Sequence, residues 1–224
     1  MNKSDIVHLL AEKRGYRRCL VLRTPLTGPD CAVDPKRFDT YTEIKYRCPG
    51  SKRGVEGVTL QPCDVALIDP WHSYSSSLRD LRAVFNVLSP GGALVCHDCW
   101  PPDDPKIIDP DGFPTPTQPW SGVTYQAWVD FVTTNDVSYC TVDTDYGVGV
   151  AFKGEVPGLR KHRLCPGWLD IETLWDVNNS YAILQGLCRP LLNLVSPSDF
   201  VQRISDSTNM DAAKDSATNP IITQ

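Results

Sequence analysis

A mostly parallel α/β sheet, finished by an antiparallel hairpin strand and followed by a helical carboxyl-terminal appendix, is the fold predicted for this 224-residue chain. Three observations predict it. The stretch from Asp64 to Trp100 reads DVALIDPWHSYSSSLRDLRAVFNVLSPGGALVCHDCW: an apolar run, a helical pattern, a Gly-rich turn and a second apolar run. A strand, helix, strand unit of this length makes a right-handed crossover between parallel neighbours. Residues 137–142 and 147–153 are joined by only Asp143-Thr144-Asp145-Tyr146, a turn short enough to make the pair antiparallel. Residues 169–185 and 189–204, punctuated by Pro190 and Pro197, carry Trp175, Leu184, Leu187 and Leu191 and read as helices packed on the domain or on a second copy of the chain.

In chain order, residues 5–13 predict a helix with Ile6, Leu9 and Leu10 on one face and Gly15 as its stop. Residues 19–22 predict the first parallel strand, and 31–33 a brief second one closing on Asp34-Pro35. Tyr41, Ile44 and Tyr46 allow a short strand, and residues 55–60 a third. The run 64–68 fits a strand covered on both faces, ended by Asp69-Pro70 because proline cannot donate to the ladder. Ser73 or Ser75 can cap the next helix, whose Leu78, Leu81, Phe85 and Leu88 recur at helical spacing until Ser89-Pro90-Gly91-Gly92. Residues 93–96 form the following strand. The proline-rich loop 99–120 is longer than loops without structure of their own usually are, so a lid and a plain surface loop are both open readings. Residues 122–134 predict a helix with Val123, Ala127, Trp128 and Phe131 inward.

Parallel strands ending at Asp69 and at His97-Asp98 deliver both to one carboxyl edge of the sheet, where ligands of open α/β sheets bind. Two acids and two histidines, His72 and His97, thereby converge although nearly thirty positions separate them. Ordinary alternatives exist: His72 as a cap for the helix after it, Asp98 as an acceptor for turn donors, Asp143 and Asp145 as turn formers. Zinc held by Cys96, His97 and Cys99 is disfavoured, because Cys96 and His97 point to opposite sides of a strand and no second cysteine pair exists.

The pattern IDPWHSY, PGG and HD resembles the middle of class I S-adenosylmethionine-dependent methyltransferases, in the bacterial branch that carries aspartate-x-x-histidine-x-tyrosine, a proline-glycine-glycine turn and a histidine-aspartate pair. Trp120-Ser121-Gly122, the stretch TVDTDYGVGV at 141–150 and LLNLVS at 191–196 are similar to the same branch. The resemblance, which runs to about Arg203, implies a Rossmann-like three-layer fold over residues 1–160. The residues themselves give the helical appendix at 161–204 and, from small, polar composition, a tail at 205–224 that is disordered unless a neighbour holds it. It implies S-adenosylmethionine as cofactor and O-methylation of a hydroxylated small molecule such as a sugar or secondary metabolite. Matching positions make Thr24, Gly28, Asp34 and Asp69 the cofactor-binding residues, with Asp34 accepting from ribose hydroxyls.

Two catalytic devices follow from the resemblance. Mg²⁺ or another divalent ion on Asp69, His97 and Asp98 would lower the acceptor hydroxyl's pKa, the histidine favouring a softer ion. Alternatively His97 or His72 acts as general base, with Asp69 or Asp98 fixing its tautomer. The chain departs from the family between Thr24 and Asp34, where a glycine fingerprint and a full helix do not fit. A scaffold that has lost its cofactor, and serves as a binding or assembly partner or runs other chemistry in the cleft, is the competing reading.

Composition narrows the classes. A formal charge of −5 and the lack of a long basic cluster argue against a phosphate-gripping surface, so a small molecule and not a nucleic acid is the expected partner. Nine cysteines, odd in number and irregular in spacing, read mostly as reduced core residues. The amino terminus lacks a secretory signal's apolar core and no run approaches a membrane span, so the cytoplasm is expected. Hydrolase elbows and phosphate-binding loops are missing. The appendix makes a homo-oligomer an expectation.

Overall fold

The computed structural model describes residues 1–23, 32–45, 55–102, 104, 106–109, 119–159 and 191–218. In chain order the elements are helix α1 (Lys3–Arg14), strand β1 (Arg18–Arg23), a 3₁₀ turn (Pro35–Arg37), β2 (Thr40–Lys45), β3 (Cys63–Asp69), α2 (Tyr74–Val87), β4 (Leu88–Cys96), α3 (Thr124–Thr134), β5 (Ser138–Val142), β6 (Val148–Phe152), β7 (Leu194–Val195) and α4 (Pro197–Thr218). The strands form one sheet in the order β2-β1-β3-β4-β6-β5-β7. Strands β2, β1, β3 and β4 are mutually parallel, β6 is antiparallel to both β4 and β5, and β7 is parallel to β5.

Alternation along the strands builds two cores. Leu20, Leu22, Ala66, Ile68, Leu94 and Cys96 face α2 and α3, meeting Leu81, Val84, Trp128 and Phe131. Their neighbours Cys19, Val21, Val65, Leu67, Ala93 and Val95 face the other way, toward Ile6, Val7 and Leu10 of α1 and Phe200 and Ile204 of α4. A strand's two-residue period puts successive side chains on opposite faces, so runs apolar throughout are what a sheet covered on both sides requires. The predicted three-layer α/β sandwich with an antiparallel hairpin is therefore observed. No helix among the described residues is long and apolar enough to cross a membrane.

The carboxyl edge is set by three helix and strand boundaries. Helix α1 begins earlier than predicted because Asn2 caps it reciprocally with Asp5, and it ends on Gly15 at φ 66°. Helix α2 stops at Val87, ahead of the Ser89-Pro90-Gly91-Gly92 stretch, which bulges inside β4 so that Cys63 opposes Leu88 while Val65 opposes Ala93. The Ser89 hydroxyl fills the gap, donating to the Cys63 carbonyl at 3.1 Å.

Several expectations are corrected. Residues 32–34 form no strand; the second strand is β2, holding Tyr41 and Ile44, and Asp34 instead opens the 3₁₀ turn, accepting from the Lys36 amide at 3.0 Å. Asp-Pro is a turn starter, which outweighed the short apolar run before it. Residues 55–57 form a turn, with the Val58 amide donating to the Val55 carbonyl, so the strand expected at 55–60 begins only at Cys63. The tail expected to be disordered from 205 continues α4 as far as Thr218. Its small hydroxyls satisfy themselves on the helix and on α1: Ser205 donates to the Val201 carbonyl at 2.9 Å, Arg14 donates to Ser207 at 2.8 Å, and Ser207 is buried. The appendix between 161 and 190 lies outside the described residues.

Candidate active site

Asp69 is the last residue of β3, and the His97 amide extends the ladder beyond β4 by donating to the Ile68 carbonyl at 3.0 Å. Asp98 follows at φ 62°. That left-handed conformation turns its carboxylate back toward the edge instead of letting the strand run on, and for a non-glycine residue it carries strain of order 1 kcal/mol. The Ser121 hydroxyl fixes Asp98 Oδ1 at 2.6 Å. His72 comes from the β3–α2 connection, where the Val123 amide donates to its carbonyl at 2.9 Å. Ser73, not His72, is the cap position of α2, so the ordinary capping reading of His72 does not hold.

Two side chains that the sequence did not mark as site residues complete the cluster. Lys3, in the first turn of α1, is 4% exposed and extends its ammonium to Asp69 Oδ2 at 3.0 Å and His97 Nδ1 at 3.2 Å. Asp145, at the hairpin tip, lies 3.4 Å from His97 Nε2 and accepts from the Lys3 amide at 3.0 Å. Asp145 and Tyr146 are both left-handed, at φ 48° and 59°, which folds the tip onto the cluster. Nothing in NKSD marks Lys3 as a site residue. Asp145 was disguised as a turn former, which it also is.

The electrostatics are those of buried opposite charges. Three carboxylates, Asp69, Asp98 and Asp145, face one ammonium and two imidazoles. Burial alone would raise the Asp69 carboxyl, but Lys3, His72 and His97 hold it well below the usual range, and His97 and His72 do the same for Asp98. Burial pulls His72 down, but the carboxylates of Asp98 and Asp69 facing it outweigh that and raise it to about 9. His97 is raised well above its ordinary value, against its burial, by Asp98, Asp145 and Asp69. Both imidazoles therefore hold a proton more firmly than a free histidine does. The three carboxylates are balanced by the Lys3 ammonium and by the two imidazoles they face.

A divalent ion fits one half of the cluster. Asp69, His72 and Asp98 each offer an atom within 4.8 Å of the others. The nearest atoms are His72 Nε2 at 3.0 Å from Asp98 Oδ2 and 3.6 Å from Asp69 Oδ1. Bonds of about 2.1 Å to a common ion hold neighbouring donors roughly 3.0 to 3.4 Å apart, close to these separations. Neither ring nitrogen of His72 has a well-formed hydrogen bond, as expected of a ligand atom. The other half does not fit: in the expected set of Asp69, His97 and Asp98, the Lys3 ammonium already lies between Asp69 and His97.

Of the remaining expected residues, Asp34 is not brought to this cluster. Asp34 lies ahead of β2, its amide donating to His8 Nε2 at 2.9 Å, so it cannot be the acid that ends the second strand. Thr24 and Gly28 are outside the described residues. Near its carboxyl end β2 carries Glu43, paired with Arg23 at 2.8 Å. Lys3, Arg23, Tyr41, Glu43 and Asp69 help line a cavity of about 180 Å³ that opens beside the cluster.

A family model described as a methyltransferase domain matches residues 39–99, from β2 through the segment holding Asp69, His72, His97 and Asp98. No curated protein matches. Among solved structures, the chain is similar to an O-methyltransferase from Bacillus cereus in complex with SAH, at 13% identity, covering 67% of this chain and 80% of that one, TM-score 0.43. It is similar to the O-methyltransferase TomG from Streptomyces achromogenes, involved in tomaymycin synthesis and solved with SAM, at 16% identity, covering 67% and 78%, TM-score 0.43. A third is the amino pentose methyltransferase CalS10 from Micromonospora echinaspora, SAM bound, at 12% identity, covering 68% and 90%, TM-score 0.41.

Proposed function

We propose that the chain is an S-adenosylmethionine-dependent O-methyltransferase acting on a hydroxylated small molecule. The observation that carries this reading is the convergence of Asp69, His72, His97 and Asp98 on one carboxyl edge, inside the segment that the methyltransferase-domain model matches. The cofactor would supply an electrophilic methyl group, and Asp69, His72 and Asp98 would hold a divalent ion whose charge would lower the pKa of an acceptor hydroxyl. The chain's own contribution is placement. Ser121 and Lys3 hold Asp98 and Asp69 from behind. Trp71 and Trp120, each 6% exposed and in edge contact at 5.4 Å, keep water from the His72 side. Orientation and exclusion of water are most of what methyl transfer asks of a protein. Glu43, in place of Asp34, is the acid near the end of β2 that would face a cofactor's hydroxyls, held there by Arg23, Lys45 and Tyr41.

The competing reading is a scaffold that no longer binds the cofactor and serves as a binding or assembly partner. It is favoured by the β1–β2 connection, where the described residues hold a single 3₁₀ turn and no longer helix. Calorimetric titration with S-adenosylmethionine separates the two. A dissociation constant in the micromolar range is expected. No binding tighter than about millimolar, with the fold intact by circular dichroism, rejects the methyltransferase reading.

A further inference from the structure

The Lys3 ammonium is among the most buried charges of the protein, and its position is over-determined. Asn2 and Asp5 cap the helix that carries it, its amide donates to Asp145, and its side chain ends between Asp69 Oδ2 and His97 Nδ1. Asp69 and Asp98 each turn one oxygen away from the Asp69–His72–Asp98 set: Oδ2 of Asp69 to Lys3, Oδ1 of Asp98 to Ser121. His97 has its Nδ1 between Asp98 Oδ2 at 3.0 Å and the ammonium at 3.2 Å, and its Nε2 facing Asp145.

We propose that Lys3 is a fixed internal cation that divides this cluster, reserving Asp69 Oδ2 and His97 for itself and leaving only Asp69 Oδ1, His72 and Asp98 to a divalent ion. Nδ1 of His97 is enclosed between the ammonium at 3.2 Å and Asp98 Oδ2 at 3.0 Å, so while the ammonium is in place no ion can reach it. Its charge also stands next to the ion's, and like charges this close in a dry site repel strongly. Lys3 thus sets both the number of ligands and the affinity. It is a positioning residue, acting through Asp69 and His97. The inference rests on the reading of the cluster as an ion site made above, and its test does not pass through methyl transfer.

The experiment is calorimetric titration of Mn²⁺ into the wild-type chain, Lys3→Met, His97→Ala and the double variant, each checked for its fold by circular dichroism. His97→Ala alone is expected to bind no more weakly than the wild type. Lys3→Met, which keeps the length of the side chain and removes its charge, is expected to bind roughly tenfold or more tightly. Adding His97→Ala to Lys3→Met is expected to reverse most of that gain, because His97 becomes a ligand only once the ammonium is gone. Lys3→Gln serves the same purpose if the methionine variant does not fold. A marked loss of Mn²⁺ affinity in His97→Ala alone, an unchanged or weaker affinity in Lys3→Met, or no binding by any of the four proteins overturns the proposal. The S-adenosylmethionine titration on the wild-type chain reports separately on the methyltransferase reading.

Discussion

Raising the pH from 6.5 to 9 in the presence of a chelator should weaken the fold through His72. Its folded pKa of about 9 lies above the ordinary 6.5. Below pH 6.5 the imidazole is protonated in both folded and unfolded chains, and the contribution of its carboxylate partners is fully present. Above 6.5 the unfolded chain gives up the proton first, and stability falls until the folded chain follows near pH 9. The rise in pKa corresponds to about 3 kcal/mol. The side chain is only 12% exposed, so solvent screens little of it. With a urea m-value of about 2 to 3 kcal/mol/M, the unfolding midpoint should drop by about 1 M or somewhat more between the two pH values. His97, shifted in the same direction, adds to the fall. His72→Gln should lose a large part of this slope while retaining the part that His97 contributes. A wild-type midpoint flat from pH 6.5 to 9, or a His72→Gln variant that falls as steeply as wild type, would refute the charge assignment.

Three further outcomes are expected. Gly122→Ala places a Cβ 2.3 Å from the His72 carbonyl at a φ of +50°, so it should cost more than about 2 kcal/mol in urea unfolding and displace His72. Removing residues 205–224 should lower the melting temperature, since Ser207 and Thr208 dock on α1; a free tail would leave it unchanged. Phe200→Ala, at a fully buried side chain under the sheet, should cost about 3 to 5 kcal/mol, read in the same urea assay.

The elements with strong periodicity were legible in the sequence. The run through Asp69, the amphipathic helix after it and the strand ending at Cys96 came from apolar spacing alone, and that spacing was enough to place Asp69 and Asp98 at one edge. The hairpin followed from the shortness of its turn. What could not be read was decided by contacts distant in sequence. Strand β2 has an exposed and half-buried pattern without clean alternation, and it is held by pairing with β1. The polar residues of α4 look like a tail until Arg14 and the Lys13 carbonyl are brought beside them. In the site, His72 and Asp98 announced themselves through their strand ends. Lys3 reaches Asp69 across 66 positions, and no local pattern reports that pairing.

Helix α1 holds the Lys3 ammonium at one end and is bolted to α4 at the other, through Arg14 to Ser207 and Thr208 to the Lys13 carbonyl. It therefore works as a spindle about 16 Å long, whose angular setting decides where the charge points. One residue inserted midway would rotate the tip by about 100° and swing the lysine away from its acids, without touching any of them. The alignment of an interior cation is thus entrusted to a clasp between the first and last helices, on the far side of the sheet from α2 and α3.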